Sequence, residues 1–319
     1  MQMKLSDREK KLIDKMLKGD RASLAKLIST VENQRQSASS IIKSISPNTA
    51  NTYVIGITGP PGAGKSTFVN CLTAIYRKEG KKVGIIAVDP SSPFTGGAVL
   101  GDRIRMQDHT ADKGVFIRSI GSRGSQGGLS KATSQIVKLY DAYGFDIIII
   151  ETVGVGQTEL DIIRIANTVI VLLVPESGDV VQTMKAGLME IADIFIVNKA
   201  DREGAEKISR DIKSITAHQS REDKWDIPIL LTTANKNEGI NETADSIQNH
   251  RDFQIKNNLT QEKLEKNREG ELLQIIKEAL ENEISNKMKD SDFKSIVKKV
   301  RKGDLDPYEG AEKFISKLI

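Results

Sequence analysis

Apolar residues recur at intervals of three and four near the start of the chain: Leu5, Leu12, Ile13, Met16 and Leu17, then Leu24, Leu27, Ile28 and Val31. That period belongs to amphipathic helices. The stretch SPNTA at 46–50 breaks it and marks a boundary. Beyond it, short apolar runs at 53–58, 83–88, 115–120, 146–151, 168–174, 194–198 and 228–232 alternate with helical stretches. Several runs are almost continuous Val, Ile and Leu, as in parallel strands covered on both faces. The alternation predicts an α/β fold, a doubly wound and mostly parallel sheet. In such sheets ligands sit at the carboxyl ends of the strands. Residues 246–319 return to a polar, helical pattern, with Leu273, Ile276, Leu280, Ile284 and Met288 on one stripe. That stripe either packs on its own domain or serves as a dimerisation arm. The expected organisation is a helical extension at 1–50, an α/β domain at 51–245 and a C-terminal helical region at 246–319.

Composition narrows the class without naming a function. Of 319 residues, 38% are hydrophobic and 28% charged, the profile of a globular protein rather than a disordered one. Lys and Arg number 47 against 43 Asp and Glu, a net +4 that is too mild to argue for a nucleic-acid partner. The single cysteine, Cys71, excludes an internal disulfide, and the three histidines (His109, His218, His250) are too scattered for a dedicated zinc site. No apolar run approaches membrane-span length, and the first twenty residues lack a signal-peptide core. The expectation is a cytoplasmic protein with no membrane partner.

The chemistry is concentrated in GPPGAGKST, residues 59–67, which matches G-x-x-x-x-G-K-[ST] between a strand and a helix. Gly59, Pro60, Pro61, Gly62, Ala63 and Gly64 form a turn whose amides can curl around phosphates without Cβ interference. The helix starting near Lys65 directs its positive end at the anion. Lys65 is placed to reach the β and γ phosphates, Ser66 to bind Mg²⁺ and Thr67 to contact the α phosphate.

The base is indicated by IFIVNKAD, residues 194–201, a strand that runs into Asn198-Lys199-Ala200-Asp201. In P-loop GTPases N-K-x-D reads guanine: the aspartate accepts hydrogen bonds from N1–H and the 2-amino group. Adenine lacks that donor pair and would leave a carboxylate unpaired. The lysine stem lies along the base and the asparagine ties loops together. After the next strand, the backbone N–H of Ala234 is placed to meet the guanine O6.

Three acids are candidates for the metal and the switch. Glu151 ends the strand at 146–151 and opens ETVGVGQTE, in the place of the usual D-x-x-G, where Gly154 would sense the γ phosphate. Asp89 ends the strand VGIIAV on the ligand edge. Asp102 lies where a helix is expected to begin, as either a metal acid or a helix cap. Asp146 begins its strand at the opposite edge and reads as structural. Carboxylates bound to Mg²⁺ directly or through water suit that ion's preference for hard oxygens. No arginine finger is assignable among Arg103, Arg105 and Arg123, each of which also reads as a solvated surface residue. Gln157 lies beyond the usual offset for orienting water. The pattern therefore shows a nucleotide switch more clearly than a fast hydrolase.

Together, GITGPPGAGKST, VDPSSPFTGGAVLGDRIRM, ETVGVGQTE, PESGDVVQTMKAG and EIADIFIVNKAD resemble the methylmalonyl-CoA mutase-associated GTPases, the MeaB/ArgK family. The resemblance is close over 50–240. It implies a homodimeric, Mg²⁺-dependent GTPase that converts GTP to GDP and acts as chaperone for an adenosylcobalamin-dependent acyl-CoA mutase of the methylmalonyl-CoA mutase type. It places the family's metal and switch acids on Asp89, Asp102 and Glu151. It also implies a further switch segment at 175–187, including Asp179, Gln182 and Lys185, with Lys185 among the catalytic groups. SIGSRGSQGGLS, 119–130, departs from the family pattern at Ser125 and Gln126, and partner specificity is expected there.

Rival readings are a kinase linked to arginine and ornithine transport, a nickel or zinc metallochaperone GTPase, and a binding module with vestigial nucleotide. The guanine motif opposes the first, the lack of clustered Cys or His the second, and the intact phosphate loop the third.

Overall fold

The computed structural model describes residues 5–33, 37–49, 52–89, 109, 111–121, 130–152, 165–176, 188–217 and 223–316. The chain divides into two compact units, Met1–Leu259 and Thr260–Ile319.

The first unit is built on β1 (Tyr53–Thr58), β2 (Val83–Asp89), β3 (Val115–Gly121), β4 (Ile147–Thr152), β5 (Thr168–Leu173), β6 (Ile194–Asn198) and β7 (Ile229–Thr232). These form one sheet in the order β3-β2-β4-β1-β5-β6-β7, every pairing parallel. All seven apolar runs of the sequence are therefore strands, and the sheet is wholly parallel among the described residues. β1 lies centrally between β4 and β5, so the loop that leaves its carboxyl end sits between the two halves of the sheet.

Alternation within each strand divides the sheet into two faces. Val54, Ile148, Ile150, Val169 and Val171 point into one core. Ile55, Ile57, Ile149, Ile170 and Leu172 point into the other. The first core takes in α1 (Asp7–Leu17), α2 (Arg21–Glu32), α3 (Ala38–Ile45), α5 (Ser130–Tyr143) and α7 (Ala205–Thr216). Met16, Leu24, Leu27, Ile28, Val31 and Ile41 are fully buried in it, so the amphipathic N-terminal helices cover one face of the sheet. Their starts are fixed locally. Ser6 and Glu9 close a capping box on α1, and Asp20 accepts from the Ser23 amide at 2.8 Å to cap α2. The second core holds α4 (Lys65–Lys78) and α8 (Ile240–Lys256), with Phe68, Val69, Leu72, Ile240 and Ile247 buried. A single turn, α6 (Leu188–Ile191), precedes β6.

The second unit contains nearly all of α9 (Leu259–Lys287), then α10 (Ser291–Lys302) and α11 (Pro307–Ile315). The last two helices pack on each other. The rings of Phe293 and Phe314 meet edge to face at 5.0 Å, and Gly310 is buried against Val300 and Ile296. No described helix is long and apolar enough to cross a membrane.

Candidate nucleotide site

The phosphate loop leaves β1 under tight steric control. Gly59 has φ of 146°, and a Cβ there would lie 2.0 Å from the Leu172 carbonyl oxygen of β5. Gly64 has φ of 86°, and a Cβ there would lie 2.5 Å from Asn198 Nδ2. Only glycine meets both demands. Pro61 and Gly62 are exposed at the tip, whereas Ala63 is buried. Gly64 is the N-cap of α4 and no side chain caps that end, so the first amides of the helix have no partner within it.

Lys65 is 7% exposed, and its Nζ donates to the carbonyls of Gly59 at 2.8 Å and Pro60 at 3.0 Å. The ammonium therefore lies across the loop it belongs to. Ser66 is 5% exposed and its Oγ donates to Glu151 Oε1 at 2.7 Å. Strand register explains that pairing: Glu151 stands level with Ile57 of β1 on one side and Ala87 of β2 on the other. It is thus carried to the carboxyl edge beside the first turn of α4. A hydroxyl and a carboxylate are hard oxygen donors, the set Mg²⁺ takes, so these residues fit that ion. Thr67 is exposed on the same turn. Below them Thr152 Oγ1 donates to Thr58 Oγ1 at 2.9 Å, tying β4 to β1 at their ends.

The base side is organised by Asn198, which is 2% exposed. Its Nδ2 donates to the Ala63 carbonyl of the phosphate loop at 2.8 Å. Its Oδ1 accepts from Thr232 Oγ1 and from the Ala234 amide, both at 3.1 Å. One side chain thus links three loops, as the motif implied. The Ala234 N–H expected to meet guanine O6 is directed at Asn198 Oδ1 here, so an O6 contact would share or exchange that donor. Lys199 has φ of 57°, which turns the chain at the end of β6, and the Ala200 amide donates to the Thr232 carbonyl at 3.0 Å. Asp201 is exposed, with Oδ2 at 3.3 Å from Lys236 Nζ. Cys71 of α4 donates its Sγ–H to the Ala234 carbonyl at 3.1 Å.

The backbone of Asp89 ends β2 on the ligand edge, level with Gly121 of β3. Asp102, Gly154 and Lys185 lie outside the described residues, as do Arg103, Arg105, Arg123, Gln157, Asp179 and Gln182. Asp146 is structural: its Oδ2 accepts from the Lys82 amide at 2.7 Å, at the edge away from the phosphate loop. The contacts of Cys71 and Lys236 carried no sequence signal, because neither residue belongs to a recognisable motif.

A parallel doubly wound sheet with a G-x-x-x-x-G-K-[ST] loop after β1 and an N-K-x-D sequence after β6 defines a P-loop GTPase. A family model described as methylmalonyl Co-A mutase-associated GTPase MeaB matches residues 24–289. A putative GTPase of Pyrococcus abyssi is 49% identical over 97% of this chain and 96% of its own length. The GTPase ArgK of Escherichia coli is 35% identical over 93% of each chain. A crystal structure titled LAO/AO transport system kinase superposes with a TM-score of 0.73 at 28% identity, covering 99% of both chains. The chain belongs to the MeaB family of methylmalonyl-CoA mutase-associated GTPases, binding GTP and GDP and hydrolysing GTP.

Proposed function

We propose that this GTPase works in the cytoplasm as a Mg²⁺-dependent chaperone of an adenosylcobalamin-dependent acyl-CoA mutase of the methylmalonyl-CoA mutase type, gating cofactor loading. Membership of the mutase-associated family supports the client class. The observation that carries the nucleotide chemistry is Asn198, whose three hydrogen bonds hold the phosphate loop and both base-side loops in one frame.

In this reading a water oxygen attacks the γ phosphorus in line. The bond to the β-γ bridging oxygen breaks, GDP leaves, and the proton of the attacking water passes to phosphate or solvent. Lys65 swings from the carbonyls of Gly59 and Pro60 to the β and γ phosphates and opposes the charge developing there. The amides of Gly62 to Ser66 hold the phosphates, and Thr67 meets the α phosphate. Ser66 and Glu151 hold Mg²⁺, with Asp89 and Asp102 completing the acidic set directly or through water. Bound there, the ion neutralises phosphate charge. Gly154 senses the γ phosphate, and Lys185 in the segment 175–187 responds to the client. Asp201 accepts from guanine N1–H and the 2-amino group, and Lys199 lies along the base.

The protein is also proposed to be a homodimer. On α9, Leu272, Leu273, Ile275, Ile276, Leu280 and Ile284 are all large, apolar and exposed. An apolar face of that extent needs a covering surface.

The deciding experiment is hydrolysis of GTP against ATP, with and without a purified adenosylcobalamin-dependent mutase. Slow, GTP-only turnover that rises with the mutase is expected. Transfer of the γ phosphate to a protein acceptor instead of water would favour the transport-kinase reading and overturn this one.

A further inference from the structure

Asp201 and Lys236 stand on different loops, and each loop is pinned by its own backbone. The Asp201 loop is held to β7 by the Ala200 amide on the Thr232 carbonyl at 3.0 Å, and closed by the Arg202 amide on the Lys199 carbonyl at 3.0 Å. The Lys236 loop is a 3-10 turn, Ala234–Lys236, in which the Lys236 amide donates to the Thr233 carbonyl at 2.8 Å. It ends in a bridge between Thr233 and Glu238. Gly239 follows with φ of 76°, where a Cβ would lie 2.3 Å from the Leu231 carbonyl oxygen. Between these fixed supports the Lys236 ammonium meets Asp201 Oδ2 at 3.3 Å.

We propose that Lys236 is a specificity-determining residue of the GTPase, a positioning residue that acts through Asp201. The proposal rests on the reading of Asp201 as the carboxylate that accepts the guanine edge. An ionised carboxylate offers about four lone-pair sites on its two oxygens. The guanine N1–H and 2-amino group use two of them, and Lys236 uses one more on Oδ2 without displacing either. Its contact fixes rotation of the carboxylate about the Cβ–Cγ bond. That matters most to a ligand that engages both oxygens at once, because bidentate pairing depends on orientation. Inosine nucleotides keep N1–H and O6 but lack the 2-amino group, so they engage one oxygen and gain less from a fixed carboxylate. With side chains 52% and 37% exposed, the pair contributes little to folding, and its effect falls on the ligand.

The test uses the full chain and the variants Lys236→Ala and Lys236→Arg, with dissociation constants for GTP, ITP and ATP. In Lys236→Ala the GTP affinity is expected to fall about fivefold and the ITP affinity by less than about twofold, the scale of one oriented ion pair. Lys236→Arg should restore most of the GTP-over-ITP preference. Equal losses for GTP and ITP would make Lys236 a general attractor of anions and overturn the proposal, as would unchanged affinity for both. Failure of the underlying reading looks different: the unsubstituted protein would then show no preference for GTP over ATP.

Discussion

Ser66 Oγ donates to Glu151 Oε1 at 2.7 Å, joining the first turn of α4 to the end of β4. Both residues are almost fully buried. Glu151→Gln keeps the shape and removes the charge. Mg²⁺ affinity measured through GTP turnover is expected to fall about 10- to 100-fold, as for loss of a metal-site partner. GTP binding without metal should change little. An unaltered magnesium titration would remove Glu151 from the metal site.

Lys65 tests the phosphate end separately. Its Nζ is held by two carbonyls of the loop. Lys65→Ala should weaken GTP binding by about 1.5–3 kcal/mol, the range for hydrogen bonds to charged groups. Isothermal titration decides it, and normal GTP affinity in the variant would sink the loop assignment. A fold check by circular dichroism belongs with it, since Lys65 also closes the loop on itself.

At the base end, Asp201→Asn should narrow the preference for GTP over ATP by about 1–3 kcal/mol. The cause is the loss of an acceptor for one of the two guanine donors. Competition binding measures it directly, and undiminished discrimination would refute the role of Asp201. Asn198→Ala is expected to act more broadly. It frees the Ala63 carbonyl, the Ala234 amide and the Thr232 hydroxyl together. Nucleotide affinity and thermal stability should therefore fall in parallel in that variant.

The sheet was legible because its inner strands β1, β4, β5 and β6 are buried on both faces. A run such as IIIIE at 147–151 leaves little alternative, and the position of each strand end then locates Ser66, Glu151 and Asn198. The motif glycines were legible for the same kind of reason, since Gly59 and Gly64 stand where a side chain would collide with Leu172 or Asn198. Contacts that depend on three-dimensional coincidence were not. Lys236 meets Asp201, and Arg118 pairs with Glu32, across sequence separations that no spacing rule covers. The N-terminal helices showed their apolar period, but the period does not say which surface they cover. The face of the sheet lined by Ile86, Ile148 and Val169 answers that.

Arg77 and Asp112 form another such pair, and they give the chain a predictable response to acid. Arg77 Nε donates to Asp112 Oδ2 at 2.8 Å and Nη2 to Oδ1 at 3.0 Å, a two-pronged contact between α4 and the turn before β3. The Gly114 amide adds a bond to Oδ1 at 2.7 Å. Hydrogen bonding from Arg77, then from Gly114, holds the Asp112 carboxyl below its ordinary value of 3.8. A carboxyl with a depressed folded pKa contributes stability that is present above the unfolded value and lost as pH falls through the folded one. The contribution of Asp112 is therefore intact from neutral pH down to about 3.8 and disappears below it. Asp112→Asn should cost about 1 kcal/mol near neutrality, a modest figure because the pair is partly exposed. The gap between the variant and the unsubstituted chain should close as the solution is acidified past that point. Urea unfolding at a series of pH values measures both, and a gap that stays constant into strong acid would show that the ionised form of Asp112 is not what holds this turn.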